Sequence, residues 1–316
     1  MPDSAFASEP IAPLPESPEA ADPFLELIGD QAIPTPEPAA VLPFVAPGDF
    51  IQTYGLRENP FPDSVQPTYF FRTEAHADAF RSMMLSAEFK TSLGMVTGPS
   101  GTGKTLVSQM LLQNLESSKF QPVLVLVTPG ISKTGLLREI LAELQLPLPV
   151  GFAHVQDLFR QLSNYIMELH DQGRRLVLII DEAHFLSTDC LHLIRTISNI
   201  ETPTEKLSTC LLFGEARLAQ RLEHPTYESL RNRIYLRSAL EPLSIEETAQ
   251  YVKFRLMTGG RLDDLFTPAA LQAVHARSGG IPRSINKVAM LSLFQGALSQ
   301  SPIIDEAIVQ AAAKRL

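Results

Sequence analysis

Residues 98–105 read Gly-Pro-Ser-Gly-Thr-Gly-Lys-Thr, and no other stretch constrains the fold of this chain so tightly. Gly98, Gly103, Lys104 and Thr105 fill the four fixed positions of G-x-x-x-x-G-K-[ST], the Walker A phosphate-binding loop. Such a loop wraps backbone N–H groups around phosphate oxygens, so glycine is needed where a β-carbon would intrude or force a disallowed φ. It also needs a buried strand before it and a helix after it. Leu93 to Thr97 is a short apolar run, and residues 105–115 carry apolar side chains at helical spacing (Leu106, Val107, Met110, Leu111, Leu115). The helix opening at Lys104 adds its positive dipole end to the bound anion. ATP is therefore expected against Gly98, Pro99, Ser100, Gly101, Thr102, Gly103, Lys104, Thr105 and Leu106. Lys104 should reach the β- and γ-phosphates, and the Thr105 hydroxyl should ligate Mg2+.

A second element bears on hydrolysis. Leu176-Val177-Leu178-Ile179-Ile180 runs into Asp181-Glu182-Ala183-His184, an apolar strand ending in two carboxylates. That is a Walker B pattern, in which Asp181 would hold the metal shell and Glu182 would polarise a water for in-line attack on the γ-phosphate. Lys104 and Glu182 are thus the expected catalytic pair. His184 could bond Glu182, reach the γ-phosphate region, or be purely structural. The Asp-Glu-Ala-His string also occurs in two-lobed helicases, but these need a second α/β lobe, and no strand-rich region follows residue 240.

Charge is informative through its distribution. Of the formal −9, −8 lies in residues 1–48, which carry eight Asp or Glu and no Lys or Arg. The rest is nearly neutral, which neither requires nor excludes a nucleic-acid partner. The same 48 residues hold eleven of the 25 prolines and are expected to be a disordered acidic tail. Two apolar islands interrupt it, Phe24 to Ile28 and Val41 to Val45. They are either incidental hydrophobes or a short docking peptide. Cys190 and Cys210 have neither disulfide nor metal spacing and read as small core residues of a reducing compartment. No run approaches a membrane span, and no basic residue precedes an apolar signal core, so a cytoplasmic protein is expected.

From residue 49 to 241 helix and strand signals alternate. Helices are expected at 74–87, 104–115, 133–144, 155–171, 188–200 and 216–222, and strands at 93–97, 123–128, 176–180, 208–213 and 234–236. Five apolar strands separated by helices predict a parallel sheet covered on both faces, a three-layer αβα P-loop sandwich. After Pro242 only helices are expected, at 245–257, 268–276, 283–298 and 305–313, a small all-helical lid over 242–316. Ser244-Ile245-Glu246-Glu247 opens the first of them with a capping-box pattern.

These motifs, with further segments, resemble the AAA+ ATPases, and within them the ExeA (general secretion pathway protein A) group. Tyr54-Gly55-Leu56-Arg57-Glu58-Asn59-Pro60-Phe61, followed by Tyr69-Phe70-Phe71, is similar to that family's opening motif. Residues 198–207, 230–234 and 279–286 resemble later blocks, so the likeness covers roughly residues 52–316. The resemblance implies that Tyr54 to Phe61 packs around the adenine, and that Arg233 or Arg231 is an arginine finger reaching a neighbouring subunit. It also implies that Arg283 contacts the nucleotide in cis, as a sensor 2 residue. An always-charged planar guanidinium suits both arginine roles. One departure stands out. Where the family has Gly-Gln-Pro-Glu-Leu this chain has Gly214-Glu215-Ala216-Arg217-Leu218, placing a carboxylate near sensor 1 that must face away or pair with Arg217 or metal.

A finger in trans implies a nucleotide-dependent homo-oligomer, with a ring as the expected form. Three roles fit such an engine: a secretion or envelope-assembly motor with an inner-membrane partner, a regulator on duplex DNA that recruits a transposase in the manner of MuB and TnsC, or a nucleotide switch serving as scaffold. The resemblance leads one to expect a membrane span and a peptidoglycan-binding domain after the lid. Neither is present before Leu316, which counts against the secretion role or calls for a separate membrane partner.

Overall fold

The computed structural model describes residues 49–63 and 69–315. The acidic segment 1–48, with its two apolar islands, lies outside the described residues.

The five expected apolar runs all form strands: β1 (Leu93–Thr97), β2 (Phe120–Leu126), β3 (Arg175–Asp181), β4 (Ser208–Gly214) and β5 (Ile234–Ala239). They make one parallel sheet in the order β2-β3-β4-β1-β5. Central strands β1, β3 and β4 are buried at every residue, as expected of strands covered on both faces. Alternate residues face opposite layers. Leu176, Leu178 and Ile180 join a core with α4 (Lys133–Glu143), α5 (Val155–Asp171) and α6 (Thr188–Ile197). Val177 and Ile179 face α2 (Glu74–Glu88) and α3 (Lys104–Asn114). Cys190 and Cys210 are buried and free.

The edge strands are where sequence boundaries slip. β2 begins three residues before the expected start, because Pro122 is tolerated in an edge strand whose outer N–H side has no partner. β5 runs three residues longer than expected. Its Tyr235, Arg237 and Ala239 alternate outward, so polar residues that read as loop are the solvent face of an edge strand.

After β4 come α7 (Ala216–Leu222), over the residues where the periodicity predicts it, and α8 (Glu228–Arg231), a short helix the sequence reading did not separate. Beyond β5 only helices follow: α9 (Ile245–Thr258), α10 (Pro268–Ser278), α11 (Pro282–Leu298) and α12 (Glu306–Ala313). α9 opens with the complete capping box. Ser244 Oγ accepts from Glu247 N at 3.1 Å, and Glu247 Oε2 accepts from Ser244 N at 2.9 Å. Among the described residues no helix is long and apolar enough to cross a membrane.

The opening segment departs from the reading that the resemblance implied. In α1 (Asp49–Thr53) and the segment after it, Phe50, Tyr54, Leu56 and Phe61 pack in the core of α9–α12, whereas Gly55, Arg57 and Glu58 are exposed. The Tyr54 hydroxyl donates to Ser301 O at 3.2 Å, and Arg261 Nη1 donates to Tyr54 O at 2.7 Å. Burial pushes the Tyr54 phenol up to about 12. The rings of Phe50, Tyr54 and Phe61 are buried in the apolar core they share with these four helices.

Candidate nucleotide site

The parallel sheet brings the two phosphate-chemistry motifs together at its carboxyl edge, where open α/β sheets bind ligands. β1 delivers the loop and β3 delivers Asp181, with β4 between them. The loop is anchored by register: Thr97 lies opposite Gly214, and Gly98 N donates to Gly214 O at 3.3 Å. A cleft above it is lined by Ser100 through Leu106, Glu182 and Arg283 on the phosphate side. Gly98 and Pro99 lie beneath it as acceptors for Lys104.

Gly103 caps α3 with φ +101, and a β-carbon there would stand 2.8 Å from His76 Nε2. Glycine is therefore required both for the backbone and for the close approach. Lys104 opens α3 and is buried. Its Nζ donates to Gly98 O at 3.0 Å and Pro99 O at 2.8 Å. Burial holds this ammonium below its usual pKa, opposed by the charges of Glu182, Asp181 and Glu215. A buried cation hydrogen-bonded to two neutral carbonyls at the N-terminus of a helix is suited to bind an anion.

Asp181, the last residue of β3, is 1% exposed. Its Oδ1 accepts from Glu182 N at 2.8 Å and its Oδ2 faces Ser108 Oγ at 3.5 Å. Among the described residues no group of three or more His, Cys, Asp or Glu could hold a metal by itself. Asp181 and the hydroxyls of α3 offer a hard-oxygen partial shell, which fits Mg2+ arriving with substrate phosphates rather than a resident ion. Glu182 takes φ 55, in the left-handed region that a non-glycine residue occupies at a cost. That turn projects its carboxylate into the cleft instead of along the strand.

Arg283 sits at the second position of α11, with Pro282 supplying the first. Its backbone N donates to Gly101 O at 3.3 Å and its Nη1 to Ser100 Oγ at 3.4 Å. The helical half thus touches the phosphate loop directly. The opposite wall is aromatic. Phe70 and Phe71 line it with Tyr251, whose hydroxyl donates to Asn286 Oδ1 at 2.8 Å. Arg255 lies between the rings of Tyr69 and Tyr251, 5.0 and 5.1 Å from their centroids. An apolar wall facing a cationic loop is what a nucleotide base and its phosphates need.

Arg231 and Arg233 do not line this cleft. Arg231 Nη1 donates to Glu223 O and Oε2, both at 3.0 Å. The Arg233 side chain makes no hydrogen bond or ion pair among the described residues; its backbone N donates to Leu230 O at 3.0 Å, and its charge acts on Glu201. The Glu215 alternative is resolved by pairing: its Oε2 meets Arg217 Nε at 3.0 Å. His184 Nδ1 stands 3.3 Å from Glu182 Oε2, the contact that the sequence left as one of three.

Sequence reasoning missed His76, Tyr251 and Arg255. His76, buried on α2, pairs through Nε2 with Thr102 O at 2.9 Å and through Nδ1 with the Thr73 hydroxyl at 2.6 Å. With the carbonyl accepting, Nε2 carries the proton and the Thr73 O–H donates to Nδ1, so the folded ring is neutral. Nothing local marks it, because a single histidine on an amphipathic helix has no motif. Burial lowers its pKa, and the same cause lowers that of His184. Their contribution to stability is therefore complete above the unfolded value of about 6.5 and is lost as pH falls below it. Thermal denaturation from pH 7.5 to 5.5 should show a falling Tm. The slope should flatten in His76→Gln, which keeps an amide but cannot take up a proton.

Fold and site together define a P-loop ATPase of the AAA+ class. A family model described as an AAA domain matches residues 87–222. The chain is 36% identical over 239 residues to General secretion pathway protein A of Aeromonas hydrophila, covering 76% of this chain and 43% of the relative, so it spans less than half of that protein's length. Among solved structures it is similar to the Aeropyrum pernix ORC2 protein, with TM-score 0.61 at 15% identity over 81% of this chain and 71% of that one. Cdc6p from Pyrobaculum aerophilum gives TM-score 0.63 at 16% identity, covering 81% and 70%. The Thermotoga maritima RuvB branch-migration motor gives 0.51 at 18%, covering 82% and 74%. At these identities the likeness is one of fold. The chain belongs to the AAA+ ATPases, in their ExeA-like group.

Proposed function

We propose that the chain binds ATP with Mg2+ in this cleft and hydrolyses it as a homo-oligomer, working as the motor or switch of a secretion or envelope-assembly system. The observation that carries the oligomer is the position of Arg233. Lys104, Glu182 and Arg283, the groups expected in cis, line the cleft, whereas the Arg233 side chain stands outside it and forms no ion pair among the described residues, with only the charge of Glu201 acting near it. An unpaired guanidinium, free to meet a neighbouring copy's cleft, suits a finger in trans.

The residues present fit the substrate. When phosphate oxygens enter, Lys104 exchanges the Gly98 and Pro99 carbonyls for them. The glycine-built loop and the N-terminus of α3 surround the same oxygens with N–H donors. Glu182 orients the attacking water and accepts its proton while the bond from the terminal phosphorus to its bridging oxygen breaks, giving ADP and phosphate. Mg2+, bound by the Thr105 hydroxyl and Asp181, would neutralise charge on the leaving oxygens. Arg283 ties α11 to the phosphate loop, so loss of the terminal phosphate changes what holds the helical half in place. The secretion setting rests on the relative's name, General secretion pathway protein A, across the portion this chain shares with it.

Light scattering with ATP, ADP or no nucleotide tests the reading. ATP should convert the protein to a larger species that ADP does not support, and an unchanged monomer with bound ATP would refute the oligomer. Duplex DNA in the same sample separates this role from a DNA-bound regulator. For the secretion reading, turnover and size are unmoved by DNA. Stimulation that fades steeply with salt would point to the transposition-type role instead.

A further inference from the structure

The glycine at 103 gives the phosphate loop a joint that another group must lock. Turning the peptide between Thr102 and Gly103 changes ψ of the first and φ of the second, and glycine tolerates φ of either sign. That peptide can therefore turn at little steric cost. In a planar trans peptide the carbonyl and the N–H point in opposite directions, so whatever holds the Thr102 carbonyl also aims the Gly103 N–H.

His76 holds it. Its Nε2 lies 2.9 Å from Thr102 O, and because a carbonyl only accepts, Nε2 is the donor. Thr102 is 1% exposed, so its carbonyl is shielded from water that could replace the ring. The ring is fixed from its other side by the Thr73 hydroxyl, 2.6 Å from Nδ1. The same oxygen accepts from His76 N at 3.3 Å as the N-cap of α2. Phe70 packs edge-on against the ring, with 5.6 Å between centroids. A β-carbon on Gly103 would meet Nε2 at 2.8 Å, so the glycine that loosens the peptide is also what lets the ring approach it. On the other edge of that peptide, the Gly103 N–H donates to no described backbone group.

We propose that His76 is a positioning residue of the phosphate loop: its Nε2–H fixes the Thr102–Gly103 peptide so that the Gly103 N–H is presented to a bound phosphate. Without this bond the buried carbonyl has no donor, and the peptide relaxes by turning, which takes the N–H away from the anion. The ring touches the loop and not the reacting atoms, so it strengthens binding of substrate and transition state alike. The proposal rests on the reading of this cleft as the ATP site.

His76→Met keeps much of the ring's volume and removes the donor. Its ATP affinity in a fluorescent-nucleotide titration should fall about tenfold, the upper end of what one such hydrogen bond is worth. Turnover at saturating ATP should stay within about twofold of wild type. His76→Asn, whose shorter amide falls short of Thr102 O, should show the same loss. His76→Gln, whose amide nitrogen reaches the place of Nε2, should bind as wild type does. Inorganic triphosphate, titrated by calorimetry, should follow the same order, because the defect lies in the loop and not in the aromatic wall. Thr73→Val removes the Nδ1 contact and the helix cap, so its Tm should fall while its ATP affinity stays near that of wild type. Equal affinity in wild type, His76→Met and His76→Asn overturns the proposal, as does a loss in His76→Gln as large as theirs. A loss for ATP that triphosphate does not share overturns it by placing the effect in the Phe70 wall, and one matched by Thr73→Val does so by placing it in the stability of α2. A wild-type chain that bound triphosphate but not ATP would overturn the ATP reading alone.

Discussion

Glu182→Gln should lower ATP turnover by about 10²–10⁴-fold while leaving ATP affinity close to wild type. The amide has the size of the carboxylate and can occupy the same left-handed turn, but it cannot accept a proton from the attacking water. Binding is carried elsewhere, by the loop around Lys104 and by Arg283, whose contacts to Gly101 and Ser100 do not involve Glu182. Single-turnover hydrolysis and fluorescent-nucleotide titration on the same preparation separate the two effects. Because ATP would persist, the variant should also hold the assembled species far longer than wild type in light scattering. A variant that lost binding and turnover together would mean that Glu182 shapes the cleft rather than acting on water.

The second large effect concerns Arg233. Arg233→Ala should cut turnover by about a thousandfold, the range that a guanidinium supplied in trans provides to phosphoryl transfer. ATP binding to the isolated subunit should be unchanged, since Arg233 lies outside its own cleft. Arg231→Ala should behave differently. Arg231 is bonded to Glu223, so its loss leaves an exposed carboxylate and an unpaired carbonyl, a minor change in stability with most activity retained. Mixing supplies the decisive measurement. Inactive Arg233→Ala subunits combined with inactive Glu182→Gln subunits should recover activity, because some interfaces then join an intact Glu182 to an intact Arg233. No recovery at any ratio would place Arg233 in cis or outside the reaction.

How much of this could be read from the chain alone varied with how local each feature is. The phosphate loop, β3 with its two terminal carboxylates, and the capping box at Ser244 are each contained in a few consecutive residues. For these, spacing carries the chemistry. Edge strands were harder: β5 looks like loop from Arg237 onward because one face of an edge strand is wet. The Tyr54 to Phe61 segment misled in the opposite direction. The family resemblance implied that this segment packs around the adenine, yet its Tyr54, Leu56 and Phe61 lie in the core of the helical cluster.

The sequence by itself determined that the chain is a parallel α/β P-loop ATPase, since the Gly and Lys positions, the strand ahead of them and the Asp-Glu pair obey short-range rules of backbone geometry and charge. Tertiary structure alone decided which groups share a proton or a charge. His76 beneath Gly103, Arg255 between two rings, Arg231 satisfied by Glu223 while Arg233 is not, and His184 set between Glu182 and Glu215 all join residues from different elements. Electrostatic pairing depends on distance in space and on desolvation, neither of which is written into the order of neighbours along the chain.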